Sequence, residues 1–371
     1  MQRQENNLGN FLFRIFLAVV RVLKPSLSHR LIIWGIKDGS FPTRKNFDPV
    51  LRVDLFGKTF KNPVGVAAGF DRDCALIDRM IDIGWGFGEL GSFSLEADFS
   101  LSDTRYLPGK TALLTQTLGC PNIGLRSALP KLAARRHLPN LVGISITSTS
   151  RNEEENVKEG KLMTYEQELA LVASKIAPYA DFIVLNLAHP NCDLYRLIAE
   201  PSIMVSLVQS LQQAIRVAAP INTPKLLIKV PADLTEIEIP QLCHYLMDVQ
   251  IDGIVVAGPM NLTRHSKNVL KDNKIYRGLL SGAPLKENTI QMVTKIYQHT
   301  KGKTPIIACG GIMSGKDAFE CIKAGASLVQ IYTGINYKGP MLVNDINHEL
   351  VKLLKQRGFK SVQEAVGSAY I

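Results

Sequence analysis

The chain is poor in cysteine, and the cysteines that it has are not paired in sequence. Only six occur among 371 residues, and no two of them form a CxxC motif. This pattern is typical of reduced thiols in a cytosolic protein and argues against a disulfide framework or a zinc site, so no metal is expected. The six are Cys74, Cys120, Cys192, Cys243, Cys309 and Cys321.

The chain also lacks the long apolar run of a membrane span. Within residues 10–23 the longest uncharged run, residues 15–20, is far shorter than the roughly 20 apolar residues that cross a bilayer. No small-residue cleavage site follows that run, which disfavours a cleaved signal peptide. No GxGxxG motif follows the first predicted strand, which argues against a Rossmann nucleotide site.

Positive charge is concentrated at the N-terminal end. The formal net charge is +10, and residues 1–45 hold eight Lys or Arg against two acidic residues. That segment therefore carries +6, and the rest of the chain is nearly balanced. A basic end on a balanced body predicts an anionic surface as its partner and disfavours a nucleic-acid groove.

The basic end contains two short apolar segments. Residues 10–23 would place Arg14 and Arg21 on one helical face, opposite a broad apolar arc. A second candidate helix, residues 27–36, carries Trp34, a residue suited to a membrane interface. We predict that residues 1–45 are a helical membrane-association segment, so that the protein is cytoplasmic and peripherally bound to a membrane. The alternative is that these helices simply dock on the main domain.

Residues 46–371 are predicted to form one α/β domain, a (β/α)8 TIM barrel. Short apolar runs alternate with amphipathic helical patterns, which implies parallel βαβ units, and eight repeats favour a barrel. The predicted strands are 64–68, 87–91, 142–146, 182–186, 226–230, 253–257, 306–309 and 328–332. The clearest helical patterns are 165–176, 202–218, 236–247, 287–298 and 316–324. Two long connections, 93–118 and 258–285, are expected to cover the site.

The most informative stretch is 305–334, where the last two predicted strands each end near glycine. Gly310 and Gly311 follow the first of these strands, and Gly334 closely follows the second. Glycine lets backbone N–H groups approach a ligand closely. The loops after the last two strands of such a barrel commonly bind phosphate. A phosphorylated cofactor or substrate is therefore expected here.

Three other strand ends carry candidate chemistry. Lys229 ends an apolar strand, where its charge would reach the barrel mouth, although a structural lysine paired with a carboxylate would look the same. Asn186 is followed by His189 and Asn191. The imidazole of His189 could act as a general acid or base, and the alternative is that His189 is a solvated loop residue without a catalytic role. The small residues Ala67, Ala68 and Gly69 would let a flat ring lie against the backbone, with Arg72 near a phosphate or ring oxygen.

Taken together, these segments resemble the dihydroorotate dehydrogenase family, specifically its membrane-associated, quinone-dependent class 2. The resemblance covers nearly the whole chain and is carried by residues 60–69, 280–285, 310–312 and 324–334. It implies bound FMN, a quinone as electron acceptor and a small-molecule substrate. It places a set of residues at the flavin: Ala67, Ala68, Gly69, Arg72 (where the family has lysine), Ser92, Ser145, Asn186, Lys229, Gly282, Gly310, Gly311, Tyr332 and Thr333.

The substrate side departs from the family's pattern. Gln116 stands in place of a substrate-binding asparagine, and Gly258-Pro259 in place of Asn-Thr. Ser145 begins a segment that replaces Asn-Ile-Gly-Lys, and His189 occupies the position of the class 2 serine base. Only Asn191 clearly keeps the pattern. Each amide partner lost from a buried site weakens binding by about 1–3 kcal/mol, which puts efficient dihydroorotate oxidation in doubt.

The sequence therefore predicts an FMN-dependent oxidoreductase acting on a C–C bond of a small cyclic amide-like substrate, in either direction. His189 and Lys229 are the predicted catalytic residues, and Gln116 and Asn191 the predicted substrate contacts. The close alternative is orthodox quinone-dependent dihydroorotate dehydrogenase of pyrimidine biosynthesis. Two further alternatives are a catalytically inactive flavin-binding regulatory protein and a flavin-free barrel enzyme acting on a sugar phosphate.

Overall fold

The computed structural model describes residues 23, 25–43, 47–99, 104–106, 113–116, 120–135, 141–148, 163–188, 193–261 and 279–370. The strands are β1 (Val53–Leu55), β2 (Lys58–Phe60), β3 (Val64–Val66), β4 (Phe87–Phe93), β5 (Thr104–Tyr106), β6 (Leu113–Gln116), β7 (Val142–Ile146), β8 (Phe182–Asn186), β9 (Lys225–Val230), β10 (Gly253–Val256), β11 (Met260–Asn261), β12 (Leu279–Gly282), β13 (Ile306–Cys309) and β14 (Leu328–Ile331). The helices are α1 (Pro25–Lys37), α2 (Ile77–Ile83), α3 (Gly124–Arg135), α4 (Tyr165–Ile176), α5 (Pro201–Ala218), α6 (Glu238–Asp248), α7 (Lys286–His299), α8 (Gly315–Lys323), α9 (Thr333–Lys338) and α10 (Leu342–Gln356).

Eight parallel strands close into a barrel, in the order β3-β4-β7-β8-β9-β10-β13-β14, with β14 pairing back to β3. The predicted (β/α)8 architecture is confirmed. Each predicted barrel strand is present, and β7, β8 and β13 have the predicted bounds. Such strands are easy to locate because both of their faces are buried, which leaves continuous apolar runs in the sequence.

The two long connections contain structure that the sequence interpretation did not predict. Strands β5, β6, β12 and β11 form a four-stranded antiparallel sheet, with β6 from the first connection pairing with β12 from the second. Strands of two to four residues are too short to show a clear alternation of apolar and polar positions. The hairpin formed by β1 and β2 was missed for the same reason.

Two glycines let aromatic rings fill the lower part of the barrel. A Cβ on Gly65 would lie 2.3 Å from the ring of Phe87, and one on Gly143 would lie 2.1 Å from the ring of Phe182. Phe87 and Phe182 pack edge to face, with ring centroids 6.1 Å apart. These rings fill the barrel near the N-terminal ends of β4 and β8, away from its C-terminal mouth.

Helix α1 packs against the barrel through one face and exposes another. Ile32 and Ile36 are fully buried, whereas Trp34 is 61% exposed and Leu27 is 44% exposed. Docking on the main domain is thus observed for this helix, together with an exposed apolar surface. The first predicted helix, residues 10–23, lies almost wholly outside the described residues. Within the described part of the chain, no helix is long and apolar enough to cross a membrane.

Candidate active site

Polar side chains from three consecutive barrel strands meet at the C-terminal mouth. The hydroxyl groups of Ser92 and Ser145 are 2.7 Å apart. Asn186 donates its side-chain N–H to Ser92 Oγ at 2.9 Å, and its Oδ1 accepts from the backbone N–H of Ala188 at 3.0 Å. All three side chains are buried. The network fixes the orientation of the Asn186 amide on the rigid ends of β4, β7 and β8.

Lys229 lies beside this network near the end of β9, and its side chain is buried, as predicted. Burial alone would lower the pKa of Lys229, but coulombic interactions with Cys309, Glu89 and Cys120 act in the opposite direction, and the net shift of the pKa is upward. The ammonium group therefore remains charged near neutral pH. A buried positive charge at a barrel mouth can stabilise an anionic group of a ligand.

The predicted phosphate residues converge on the opposite side of the mouth. Thr333 is the first residue of α9, the short helix after the last barrel strand, and its hydroxyl donates to Ser281 Oγ at 3.0 Å. This contact joins the end of β12, where Gly282 lies, to the start of α9. The first N–H groups of a helix have no intrahelical acceptor and are free to bind an anion. We call Gly282, Gly310, Gly311, Tyr332 and Thr333 the phosphate cradle.

Gly310 and Gly311 allow the end of β13 to approach α7 closely. Gly311 has a φ of +74°, and a Cβ there would lie 2.2 Å from the backbone nitrogen of Lys286. A Cβ on Gly310 would lie 2.8 Å from the hydroxyl of Thr289. That hydroxyl is buried and has no hydrogen-bond partner among the described residues. A ligand oxygen beside Gly310 could accept a hydrogen bond from the Thr289 hydroxyl and so satisfy this buried donor.

The small residues after β3 give the mouth a flat face. The backbone N–H of Ala67 donates to Ile331 at 3.1 Å, and that of Gly69 donates to Gly91 at 2.7 Å. Gly69 has a φ of +92°, and the nearest neighbour of a Cβ there would be Tyr332, at 3.9 Å. This surface is therefore rigid and open. We call it, with Ala68, Ser92, Ser145, Asn186 and Lys229, the ring face.

A separate cavity of about 530 Å³ lies between α1 and the barrel. It is lined by residues that include His29, Ile33, Phe70, Arg72, Tyr332 and Asn336. His29 Nδ1 and Asn336 Oδ1 are buried and lack hydrogen-bond partners in the described part of the chain. Burial, assisted by the charge of Arg72, outweighs the opposing effects of the nearby Asn336 side chain, Asp73 and the Phe70 backbone and lowers the pKa of His29 to about 4, so this imidazole is neutral at physiological pH.

His29 and Asn336 were missed by the sequence interpretation. His29 is three residues before Ile32 and seven before Ile36, so it shares their buried face of α1, and that spacing was a usable signal. Arg72, by contrast, was predicted at the cofactor. Its Nε donates to the carbonyl of Gly69 at 2.9 Å, and its side chain lines the cavity under α1.

Three predicted residues cannot be placed by their side chains. Gln116 ends β6, where its backbone pairs with β5 and β12, and its side chain is not described. His189 and Asn191 lie outside the described residues, directly after Ala188. Their roles stay predictions. The structure does bring together the predicted residues of the ring face and of the phosphate cradle at one end of the barrel.

The comparisons with known proteins agree on one family. The dihydroorotate dehydrogenase family model matches residues 50–354. The quinone-dependent mitochondrial dihydroorotate dehydrogenase of Mus musculus is 32% identical over 365 residues, which cover 94% of this chain and 88% of that protein. The Arabidopsis thaliana enzyme of the same description is 30% identical over 367 residues, covering 94% and 79%. The crystal structure of DHODH from Eimeria tenella in complex with ferulenol matches with a TM-score of 0.79 and 25% identity, covering 95% of this chain and 99% of that one. The chain therefore belongs to the dihydroorotate dehydrogenase family, whose members are oxidoreductases acting on CH–CH groups.

Proposed function

We propose that this protein is an FMN-dependent oxidoreductase that transfers hydrogen to or from a C–C bond of a small cyclic amide-like substrate, with a quinone as its electron acceptor. One observation carries the proposal. The buried Lys229 and the Ser92–Ser145–Asn186 network lie at the same barrel mouth as the phosphate cradle. A flat, phosphorylated cofactor is the kind of ligand that needs both features.

The residues present fit FMN. The phosphate cradle would hold the phosphate, with the unpartnered hydroxyl of Thr289 close to Gly310. The ring face would hold the flavin ring, with Lys229 placing a positive charge where the ring gains electrons. When bound, FMN supplies the acceptor for a hydride that leaves the substrate. The remaining chemistry belongs to the side chains of this chain.

His189 is the proposed proton-transferring residue. It follows Asn186 and Ala188, whose positions the structure fixes at the end of β8. An imidazole has an ordinary pKa near neutrality, so it can accept a proton from a substrate carbon at physiological pH. Gln116 and Asn191 are the proposed substrate contacts. A base-competent histidine at this position is the feature that favours an enzyme over an inactive flavin-binding protein.

The substrate is proposed to differ from dihydroorotate. The family has an asparagine where this chain has Gly258, and a Cβ on Gly258 would lie 2.2 Å from the Cβ of Ala188. The loop after β10 is thus packed too closely against Ala188 to carry an amide side chain there. Fewer buried amide partners weaken the recognition of an amide-rich ring. Orthodox dihydroorotate oxidation is the second candidate, favoured by the quinone-dependent dihydroorotate dehydrogenases that match 94% of this chain.

The cavity under α1 is the proposed site of the quinone. Its lining combines apolar residues such as Ile33 and Phe70 with polar ones, and neutral His29 and Asn336 offer buried polar atoms that suit a quinone carbonyl. The exposed Trp34 and Leu27 of α1 suit contact with a membrane surface, from which a quinone would enter. Residues 1–45 are accordingly proposed to form the membrane-association segment, with residues 46–371 as the catalytic domain of a cytoplasmic, peripheral protein.

The cofactor is tested by purifying the protein, denaturing it and measuring the FMN released. We expect about one FMN per chain, because each barrel is proposed to contain one cofactor site. A colourless protein that takes up no added FMN would contradict the proposal and favour a sugar-phosphate enzyme.

Catalysis is tested by anaerobic mixing of the FMN-loaded protein with a panel of cyclic amides that includes dihydroorotate. We expect one member to reduce the flavin and His189→Ala to slow that reduction at least about 100-fold. Equal rates for H189A and the unchanged protein would remove His189 from the mechanism.

The quinone site is tested by measuring how fast a short-chain quinone reoxidises the reduced flavin. His29→Phe should slow this reoxidation. His244→Phe is the control and should not slow it, because His244 lies on α6 with its side chain 69% exposed.

A further inference from the structure

Strand β4 is bulged at the point where it carries Ser92. The register between β4 and the neighbouring β7 shifts between Leu90 and Phe93. Gly91 lies within this bulge with a φ of +95°, and a Cβ there would lie 2.6 Å from the carbonyl oxygen of Ser145. A bulge beside an active site can re-aim the side chain that it carries. Here the hydroxyl of Ser92 lies 2.7 Å from that of Ser145.

A buried carboxylate holds the chain just beyond the bulge. Glu168 lies in the first part of α4 and is 6% exposed. Its Oε1 accepts from the backbone N–H of Leu95 at 3.2 Å, and its Oε2 accepts from the hydroxyl of Ser148 at 2.5 Å. Each of these two contacts lies three residues after a member of the Ser92–Ser145 pair. Glu168 therefore ties together the two loops that follow the serine pair.

Asn122 is a second buried side chain that holds the same segment. Its Oδ1 accepts from the backbone N–H of Ser94 at 3.3 Å and from that of Gly124 at 2.9 Å. Its Nδ2 donates to Ser94 Oγ and to the carbonyl of Cys120, each at 2.9 Å. Backbone hydrogen bonds between Asn122 and Asp98 join the two segments as well. The chain after the bulge is thus fixed both to α4 and to the start of α3. We call Glu168 and Asn122 the polar clamp.

The polar clamp buries polar groups where apolar packing could also hold the loops. Burying a carboxylate costs free energy unless it is hydrogen-bonded, and apolar side chains of similar volume are often as stabilising as a buried charge. What the carboxylate and the amide add is direction, because hydrogen bonds fix the relative positions of the groups that they join, and those to a charged acceptor are the stronger kind. The groups fixed here lie two and three residues beyond Ser92.

We propose that the polar clamp positions the Ser92 hydroxyl for the ring of the cofactor. Glu168 and Asn122 are positioning residues, which act through Ser92 by way of the backbone that follows it. The inference rests on the proposed FMN site and adds two residues that are not part of the ring face. Asn186 donates to Ser92 Oγ at 2.9 Å, so the orientation of that amide depends on the clamp as well.

The test is a double-mutant cycle on FMN affinity, measured from the FMN that the loaded protein releases on dilution. We expect Ser92→Ala and Glu168→Ala each to weaken FMN binding about 3–10-fold, the effect of about one lost hydrogen bond. In the S92A background, E168A should add less than about 2-fold, because residues that act through one contact are not additive. Asn122→Ala should give the same pattern in both backgrounds. Glu168→Gln, which keeps one acceptor oxygen, should lie between E168A and the unchanged protein.

Glu166→Ala is the matched control, since Glu166 is half-buried on the same helix and lies outside the polar clamp. It should leave FMN affinity unchanged. A loss in E168A that is equally large in the S92A background would overturn the inference, because the clamp would then support the fold without acting through Ser92. So would an S92A protein that binds FMN as tightly as the unchanged one.

If E168A does not fold, the same cycle is run with E168Q, whose loss of affinity must likewise vanish in the S92A background. Failure of the unchanged protein to bind FMN would instead refute the proposed function, and the inference with it.

Discussion

The two sides of the barrel mouth are built differently. The proposed cofactor side consists of strand ends whose side chains are buried, with Ser92 and Asn186 hydrogen-bonded to each other and Lys229 beside them. The substrate side is carried by the loop after β8 and by the two long connections, with β6 and β12 in a separate antiparallel sheet. Most of the departures from the family's pattern lie on this second side, as at Gly258 and His189, whereas the cofactor side has fewer, such as the change to Arg72.

This difference shows where change is easy in such a fold. A residue on a barrel strand contacts the core and its neighbouring strands, so its replacement disturbs packing throughout the domain. A loop residue contacts mainly the ligand, so loops can be altered while the scaffold stays intact. A cofactor held by strand ends can therefore persist while the substrate changes.

The largest effect is expected at the centre of the cofactor side. Lys229→Met should lower the reduction potential of the bound flavin by about 60 mV or more, because it removes the buried positive charge at the barrel mouth; this is about 3 kcal/mol for a two-electron couple. Titration of the FMN-loaded protein against reference dyes measures this. The matched control is Lys225→Met on the same strand, where a half-exposed lysine pairs with Asp252 at 2.9 Å. That change should leave the potential unaltered, and equal shifts in the two variants would contradict the role of Lys229.

A smaller effect is expected in the phosphate cradle. Gly311→Ala places a Cβ 2.2 Å from the backbone of Lys286 at a φ of +74°. The strained φ costs about 1–2 kcal/mol, and the overlap adds about 1–3 kcal/mol. Gly358→Ala is the control, since Gly358 has a φ of +79° and nothing within 4 Å of the added Cβ. Only G311A should weaken FMN binding in a fluorescence titration; an FMN affinity unchanged from the control would exclude Gly311 from the cradle.

On the substrate side, the close contact between the loop after β10 and the loop after β8 can be tested by adding a methyl group at Gly258 and removing the one at Ala188. Gly258→Ala should cost about 1–3 kcal/mol by overpacking against Ala188. Adding Ala188→Gly removes the opposing methyl and should restore most of the lost stability. Thermal unfolding of both single variants and the double variant measures this coupling. Additive losses would show that the two loops are not packed as described.

The smallest effect concerns acid sensitivity under α1. The pKa of His29 is lowered from 6.5 to about 4 in the folded protein. Between these values the unfolded chain binds more protons, so stability falls as the pH drops from 6.5 towards 4. From pH 7 to about pH 6 the loss should be about 1 kcal/mol or less. His29→Gln should flatten this part of the stability profile, and an unchanged slope would contradict the assignment.

The sequence predicted the scaffold better than the pocket. Strands such as β7 and β8 were located because buried parallel strands are continuous apolar runs, and Lys229 was noticed because it interrupts one. The sheet of β5, β6, β11 and β12 could not be predicted because its strands are short and pair across distant segments. The buried hydrogen bond from Gln330 to Glu89 was equally hidden, since it joins strands that lie far apart in the sequence.

The central claim is that the cofactor side remains that of the family while the substrate side has changed. Its most direct test is to mix the oxidised, FMN-loaded protein with dihydroorotate without oxygen and follow the flavin absorbance. We predict that the absorbance persists with dihydroorotate and is lost on addition of dithionite. Rapid bleaching by dihydroorotate would contradict the changed substrate and establish the orthodox reaction.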